Sequence, residues 1–271
     1  MRQWTIDAFA AGPFLGNAAC VVEPLDEWPP DARMQALAAE NAAGATAFLV
    51  RRPSSPSRFG LRWFTIATEV PLCGHASLAA AHALLAELGL DHPALEFETA
   101  SGELVATRVA DDRYELSFPR PPARRIDTPP GLAEALGAEP AEVWAAPYLV
   151  ALLDDPDAIG RLRPRLSEVR RISEGLGGQG NLGVAALAPP GAPHHVVDRF
   201  FAPGYGFPED PATGSFHAIL VPILTPRLPS GPIRFRQAYP GRGADLEGRL
   251  DGDRVRLRGQ AVTVIDSRLR L

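Results

Sequence analysis

The sequence predicts an α+β protein of two pseudo-symmetric lobes, each a barrel-like β-sheet wrapped around a central α-helix. Three observations carry that prediction. Short strand-like segments outnumber helical ones, and each half holds one long apolar helical stretch. A nine-residue motif also occurs twice, as EVPLCGHAS at 69–77 and EDPATGSFH at 209–217. In register, Glu69 falls on Glu209, Pro71 on Pro211, Cys73 on Thr213 and Gly74 on Gly214. An aromatic pair precedes each copy, Trp63-Phe64 and Phe200-Phe201.

In the first half, strands are expected at Gln3–Phe9, Ala18–Glu23, Thr46–Arg51 and Gly60–Phe64, with a turn over Ala10–Asn17. Asp31–Glu40 has helical spacing, with Met34, Leu37 and Ala38 on one face behind Pro29-Pro30. Ser77–Leu88 is almost wholly apolar and stops at Gly89, which predicts a helix buried on every side. Strands at Leu95–Thr99, Glu103–Val109 and Arg113–Phe118 complete this half.

The proline- and arginine-rich stretch Pro119–Pro130 is the expected linker, which sets domains at 1–118 and 119–271 with the last strand free to return to the N-terminal lobe. Beyond it, Gly131–Leu136, Pro140–Trp144 and Asp155–Arg163 read as helical, and Leu149–Leu153, Gly183–Ala188 and Val196–Phe201 as strands. Ser215–Leu224 is the second apolar helix. Short strands follow at Ile233–Ala238, Asp245–Asp251, Arg254–Leu257 and Gly259–Val264.

Composition narrows the function. The chain has 271 residues, 46% hydrophobic and 22% charged, as in a globular protein of one large or two ordinary domains. A net charge of −5 offers no footprint for nucleic acid or an anionic membrane. No apolar run reaches the roughly 20 residues of a membrane span, and no leader opens the chain, so the cytoplasm is the expected compartment. Two cysteines are too few for a disulfide framework or a structural zinc site, and no metal site is expected. All 27 basic residues are arginine, so no lysine Schiff base can form. No glycine-rich nucleotide loop is present either. The expectation is chemistry without a cofactor.

The doubled motif supplies the candidate site. A Pro-x-x-Gly turn opening a helix leaves backbone N–H groups unpaired at the positive end of the helix dipole. Two such ends suit a small carboxylic acid, with Gly74, Gly214 and Ser215 presenting amides to it. His75 follows Gly74 directly, where the dipole favours neutral imidazole able to take or give a proton. Asp210 caps the second helix in the bland reading; in the functional one it works with His75 or holds a polar group of the substrate. Cys73 is either a small buried hydrophobe or a thiolate base at the helix end. Asn17 is an ordinary turn asparagine or a member of the same cleft. His82 and His217 read as structural, with His217 packed at the lobe interface. His92, His194 and His195 read as loop residues, and Asp198 beside the last two is too little for a metal.

Taken together, these segments resemble the PhzF-like family of phenazine-biosynthesis isomerases, which has the diaminopimelate epimerase/proline racemase type of fold. The matching motifs are Asp7-Ala8-Phe9 with Pro13-Phe14-x-Gly16-Asn17, Glu40-Asn41 through Thr46-Ala47-Phe48, Trp63-Phe64-Thr65 and Glu69 to Ala76. Arg199 to Pro203, Glu209 to Ser215, Gln237 with Gly241-Arg242, and Gly259-x-Ala261-Val262 follow in family order. The resemblance implies a cytoplasmic homodimer and cofactor-free acid–base isomerisation of a small unsaturated amino or hydroxy acid in secondary metabolism. The phenazine enzyme itself moves a proton within trans-2,3-dihydro-3-hydroxyanthranilate. The family's histidine maps onto His75 and its aspartate onto Asp210.

Position 45 departs from the resemblance. The family commonly reads Glu-Asn-x-x-Ser-Glu-Thr-x-Phe, with the second glutamate transferring the proton, whereas this chain reads Glu40-Asn41-Ala42-Ala43-Gly44-Ala45-Thr46-Ala47-Phe48. Ala45 therefore stands at the proton carrier's place in the substrate site, and Glu40 points elsewhere. Three explanations compete: an engineered inactive variant, a natural branch whose base is His75, Asp210 or Cys73, and a carboxylate-binding homologue without turnover. Gly44 departs as well, which favours the natural branch. Lyase or hydrolase chemistry on the same scaffold is the remaining alternative.

Overall fold

The computed structural model describes residues 1–110 and 112–270. The chain divides into two compact units, Met1–Phe118 with Arg256–Leu271, and Pro119–Val255.

The first unit contains β1 (Arg2–Ala8), β2 (Asn17–Val22), α1 (Asp31–Asn41), β3 (Ala45–Arg52), β4 (Ser55–Phe64), β5 (Glu69–Val70), α2 (Gly74–His82), β6 (Leu95–Thr99), β7 (Gly102–Ala110) and β8 (Arg113–Pro119). The second has β9 (Arg124–Ile126), α3 (Leu132–Leu136), β10 (Glu142–Ala145), β11 (Leu149–Leu153), α4 (Pro156–Arg161), α5 (Leu166–Gly175), β12 (Leu182–Leu187), β13 (Val196–Phe201), β14 (Glu209–Asp210), α6 (Gly214–Leu224), β15 (Ile233–Gln237) and β16 (Ala244–Asp251). The last strand, β17 (Arg254–Arg268), belongs to the first unit from Arg256 onward.

In the first unit eight strands close a barrel in the order β17–β1–β2–β3–β4–β6–β7–β8, with β8 pairing back onto β17. The β2–β3 and β4–β6 pairs are parallel, and β17–β1, β1–β2, β3–β4, β6–β7 and β7–β8 are antiparallel. The second unit repeats the scheme: β9–β10–β11–β12–β13–β15–β16, with β11–β12 and β13–β15 parallel. Parallel neighbours need a crossover. Here α1 makes the first crossover and α2 the second in unit one; α4 with α5, then α6, do so in unit two.

Every residue of α2 is buried, and the helix packs on β1, β2, β3 and β7. It fits because its side chains are small: Ala76, Ser77 and Ala79 to Ala81 form most of its length. Past His82 it widens into a π turn over Ala83–Glu87, with Leu88 N–H bonded to Ala83 O at 2.9 Å. The other central helix, α6, is buried except at Ser215 and Pro222 and carries larger groups. There the sheet yields instead: a Cβ at Gly183 in β12 would overlap the Phe216 ring. Amphipathic α1 seals the outside of its barrel, with Met34, Leu37 and Ala38 against Val22, Phe48 and Phe64. On the second unit, Leu132, Ile159, Val169 and Ile172 of α3, α4 and α5 pack on Val143, Leu149 and Val184.

Three sequence expectations are corrected and one omission is filled. Pro140–Trp144 is not helical; Glu142–Ala145 is strand β10, paired with β11 and β9, because a ladder on both sides outweighs the helix propensity of Ala-Glu. The expected linker Pro119–Pro130 contains β9, whose Arg124–Ile126 pairs with β10. The predicted strands Arg254–Leu257 and Gly259–Val264 are one strand, β17. Gly259 is there because the Phe9 ring occupies the space of a Cβ, a close approach rather than a break. The stretch Leu166–Gly175, unassigned from sequence, is the amphipathic helix α5.

Replacing Gly183 with alanine should lower stability by about 1–3 kcal/mol through overpacking against Phe216. Gly160→Ala, at an exposed helical position with nothing within 4 Å of the added methyl, should change it little or raise it. Urea unfolding followed by circular dichroism compares the two; equal midpoints would contradict the packing argument.

Candidate active site

The two motif copies adopt the same local structure. Each begins with a two-residue strand on the aromatic pair: Val70 opposite Trp63 and Glu69 opposite Phe64, then Asp210 opposite Phe200 and Glu209 opposite Phe201. An arginine next to each aromatic pair forks onto the motif glutamate. Arg62 Nε and Nη2 lie 2.7 and 2.6 Å from Glu69, and Arg199 Nε and Nη2 lie at the same distances from Glu209. The guanidinium groups also sit over Phe64 and Phe201, at 5.2 and 4.8 Å from the ring centres. Sequence reasoning passed over these forks. The recurring Arg-aromatic-Phe before each motif glutamate was the available signal.

Each helix then starts at the motif glycine. The α2 ladder opens with Ser77 N–H to Cys73 O, and α6 with Phe216 N–H to Thr213 O. The amides of Gly74, His75 and Ala76, and those of Gly214 and Ser215, precede those first ladder donors.

In the first unit, His75 is buried on α2 beside Asn17, the first residue of β2. The Asn17 amide nitrogen lies 3.2 Å from His75 Nδ1; an amide N–H only donates, so Nδ1 accepts. Cys73 Sγ is 3.5 Å from the same nitrogen. Burial lowers the His75 pKa to about 4, so the ring is neutral at physiological pH. Ala45 is buried at the start of β3, opposite Ala19, and contributes only a methyl group. Its neighbour Gly44 lies directly against the pair: a Cβ there would stand 2.5 Å from Asn17 Oδ1 and 3.2 Å from His75 Nε2. The structure thus brings together Asn17, Cys73, Gly74 and His75, with the Gly44–Ala45 backbone alongside. Glu40 is exposed on α1.

In the second unit, Asp210 is buried and its Oδ2 accepts a 2.6 Å hydrogen bond from Thr213 Oγ1. Gln237 on β15 braces the same turn. Its Oε1 accepts from Thr213 N–H at 2.7 Å, and its Nε2 donates to Asp210 O at 2.6 Å and to Thr213 Oγ1 at 3.1 Å. Ser215 Oγ meets the Tyr148 hydroxyl at 3.0 Å, which in turn meets Tyr205 at 2.9 Å, and Tyr205 bonds Gln179 at 2.8 Å. Thr213 and Gln237 were visible in sequence only as letters of a motif, because their partners lie far away along the chain. The tyrosines carried no pattern at all.

Of the other histidines, His82 lies outside these clusters and His217 adjoins the second through Thr213. His82 is held by Tyr114 and Thr263. Both hydrogen bonds of His217 stay within the second unit, to Thr213 and Asp198. Among the described residues no group of three or more His, Cys, Asp or Glu is placed to hold a metal, and no helix is long and apolar enough to cross a membrane.

The fold is shared with epimerases and racemases. A probable proline racemase of Agrobacterium radiobacter K84, crystallised with bound carbonate, superposes with a TM-score of 0.65 over 100% of this chain and 93% of that one; at 15% identity this is a likeness of fold alone. A PhzF-family phenazine biosynthesis protein of Enterococcus faecalis is nearer, with a TM-score of 0.88 and 32% identity over 100% and 99% of the two chains. An uncharacterized isomerase of Pseudomonas aeruginosa is 39% identical over 267 residues, 98% of this chain and 97% of that protein. The sequence profile of the family described as phenazine biosynthesis-like protein matches residues 6–267. The chain belongs to that family.

The low His75 pKa has a stability consequence with a definite sign. Unfolded histidine titrates near 6.5 and folded His75 near 4, so between these values the unfolded chain binds more protons. His75 therefore costs no stability above about pH 6.5 and costs progressively more as pH falls toward 4. Between pH 7 and pH 5, His75→Gln should lose less stability than the parent protein, read as the shift in urea midpoint. A variant that loses as much would refute the buried neutral ring.

Proposed function

We propose that this protein is a cofactor-independent isomerase that moves a proton, and with it a double bond, within a small unsaturated amino or hydroxy carboxylic acid of secondary metabolism. The observation that carries the reading is the pairing of chemistry with the repeat. A buried neutral imidazole follows one motif glycine, and a buried carboxylate precedes the other. Isomerase names among the relatives support the class.

In this reading helix-end amides bind the substrate carboxylate, those of Gly74 at the first motif or those of Gly214 and Ser215 at the second. Either Asp210 or His75 accepts the proton from a C–H bond next to the conjugated system. The electron pair of that bond moves into the conjugated system as an enolate-like anion, stabilised by the same N–H donors. The same group, now in its acid form, returns the proton at the far carbon, so the product has the substrate's composition and the protein recovers its own protonation state. Cys73, against His75 Nδ1, is the remaining proton-carrying candidate. Ala45 occupies the place of the family glutamate and carries no proton. Gly44 supports a natural branch, because its lack of a side chain accommodates Asn17 and His75.

Incubation in D₂O with a panel of unsaturated amino and hydroxy acids, read by mass and NMR, tests the reaction. Isomerisation leaves product mass unchanged apart from deuterium, whereas dehydration or carbon–carbon cleavage does not. His75→Ala and Asp210→Ala should each lower turnover by about 10²–10⁴-fold in protein that remains folded. Full activity in both would sink the assignment. Ala45→Glu reports on the older chemistry. It should give no large gain on trans-2,3-dihydro-3-hydroxyanthranilate, and a large gain would instead mark an inactivated form of a glutamate enzyme.

A further inference from the structure

Behind the Asp210–Thr213 turn lies a polar pair that the proposed reaction does not use. His217 on α6 and Asp198 on β13 are both fully buried, with Nε2 and Oδ2 3.1 Å apart. His217 Nδ1 lies 2.8 Å from the Thr213 carbonyl oxygen, and a carbonyl only accepts, so Nδ1 carries a hydrogen. The Nε2–Oδ2 contact then needs a proton of its own, since two lone pairs would otherwise face each other. Asp198 Oδ1 is buried without a hydrogen-bond partner, and burial raises the Asp198 pKa. Both facts favour the uncharged arrangement, in which the Asp198 carboxyl donates to Nε2 and Nδ1–H donates to Thr213. Phe235 and Phe216 pack on the imidazole, with ring centres at 4.9 and 5.6 Å.

Asp198 is paired in register with Gln237 on the neighbouring parallel strand. Adjacent strands thus grip one residue through different atoms. Gln237 takes the Thr213 amide and hydroxyl oxygen, and Asp198 acts through His217 on the Thr213 carbonyl. With its oxygen accepting from Gln237, the Thr213 hydroxyl directs its hydrogen at Asp210 Oδ2. The first unit shows the simpler form of this device. Ser77, the counterpart of His217, donates to the carbonyl of Cys73, the counterpart of Thr213, at 2.7 Å. Only the second copy extends it to a carboxyl group on a neighbouring strand.

We infer that Asp198, His217 and Gln237 are positioning residues that fix Thr213 and thereby aim the Asp210 carboxylate. The inference deepens the isomerase reading and rests on Asp210 being one of its proton carriers. Three variants test it: His217→Ala removes the donor to Thr213, His217→Ser restores one as in the first unit, and Asp198→Leu, which keeps the branched shape but cannot donate to Nε2, serves should the alanine variant not fold. Carbon-13 NMR of the Asp210 carboxyl, assigned through Asp210→Asn, needs no substrate. Its signal should move in His217→Ala and Asp198→Leu and return toward the parent in His217→Ser. Nitrogen-15 NMR of the parent should show a hydrogen on His217 Nδ1. On a substrate found in the D₂O panel, kcat should fall by up to about 100-fold with KM nearly constant.

A folded His217→Ala or Asp198→Leu protein with an unmoved Asp210 signal and unchanged kcat would overturn the inference. So would a His217 ring that lacks the Nδ1 proton. If Asp210→Ala keeps full turnover while the Asp210 carboxyl signal still responds to His217→Ala, the isomerase role of Asp210 fails and the scaffold stands.

Discussion

A helix enclosed by a β-sheet is the constraint from which the rest of each unit follows. Side chains on all its faces meet strands, so bulk must be given up by one partner or the other. In the first unit the helix gives it up, as the alanine run of α2. In the second the sheet does, at Gly183 beneath Phe216. Burial also makes polar groups near the helix start costly unless they are paired. Accordingly His75 has Asn17 and Cys73, while Asp210, Thr213 and His217 share a network with Gln237 and Asp198. The groups available for chemistry are thus ones whose surroundings hold them in fixed orientations.

The two motif copies show what a duplicated element keeps and what it changes. Kept are the two-residue strand, the arginine fork on the glutamate, the glycine start and a side-chain donor on the carbonyl before it. These set backbone geometry. Changed are the groups with protons to move: cysteine and histidine in the first copy, aspartate and threonine in the second. The forks differ in setting too. Arg199 and Glu209 are largely buried, where removing one partner strands a charge, whereas Arg62 and Glu69 are partly solvated and contribute less.

Much of this was legible in the sequence. Alternation marked the strands at Leu95–Thr99 and Glu103–Val109, and the apolar stretches Ser77–Leu88 and Ser215–Leu224 announced the central helices. The motif repeat pointed to the helix ends. Features decided by distant partners were not legible. β10 is a strand because β9 and β11 flank it, and Gly259 interrupts nothing because its reason is the Phe9 ring. At the site, His75 and Asp210 stood out by spacing. Asp198 did not, since its partner lies 19 positions away and its register with Gln237 exists only in the folded sheet.

The route of β17 has a consequence for how the molecule comes to be. The first barrel closes through a strand placed at 256–268, after the whole of the second unit in the chain. During synthesis β1 and β8 therefore wait, with open edges, until the last residues emerge. Contacts of such long sequence separation are slow to form, and an unpaired strand edge is the surface on which chains associate wrongly. The second unit has no such delay, because its β9 to β16 pairs all lie within one continuous segment. Residues 256–268 are thus the segment that converts an open sheet into a closed one.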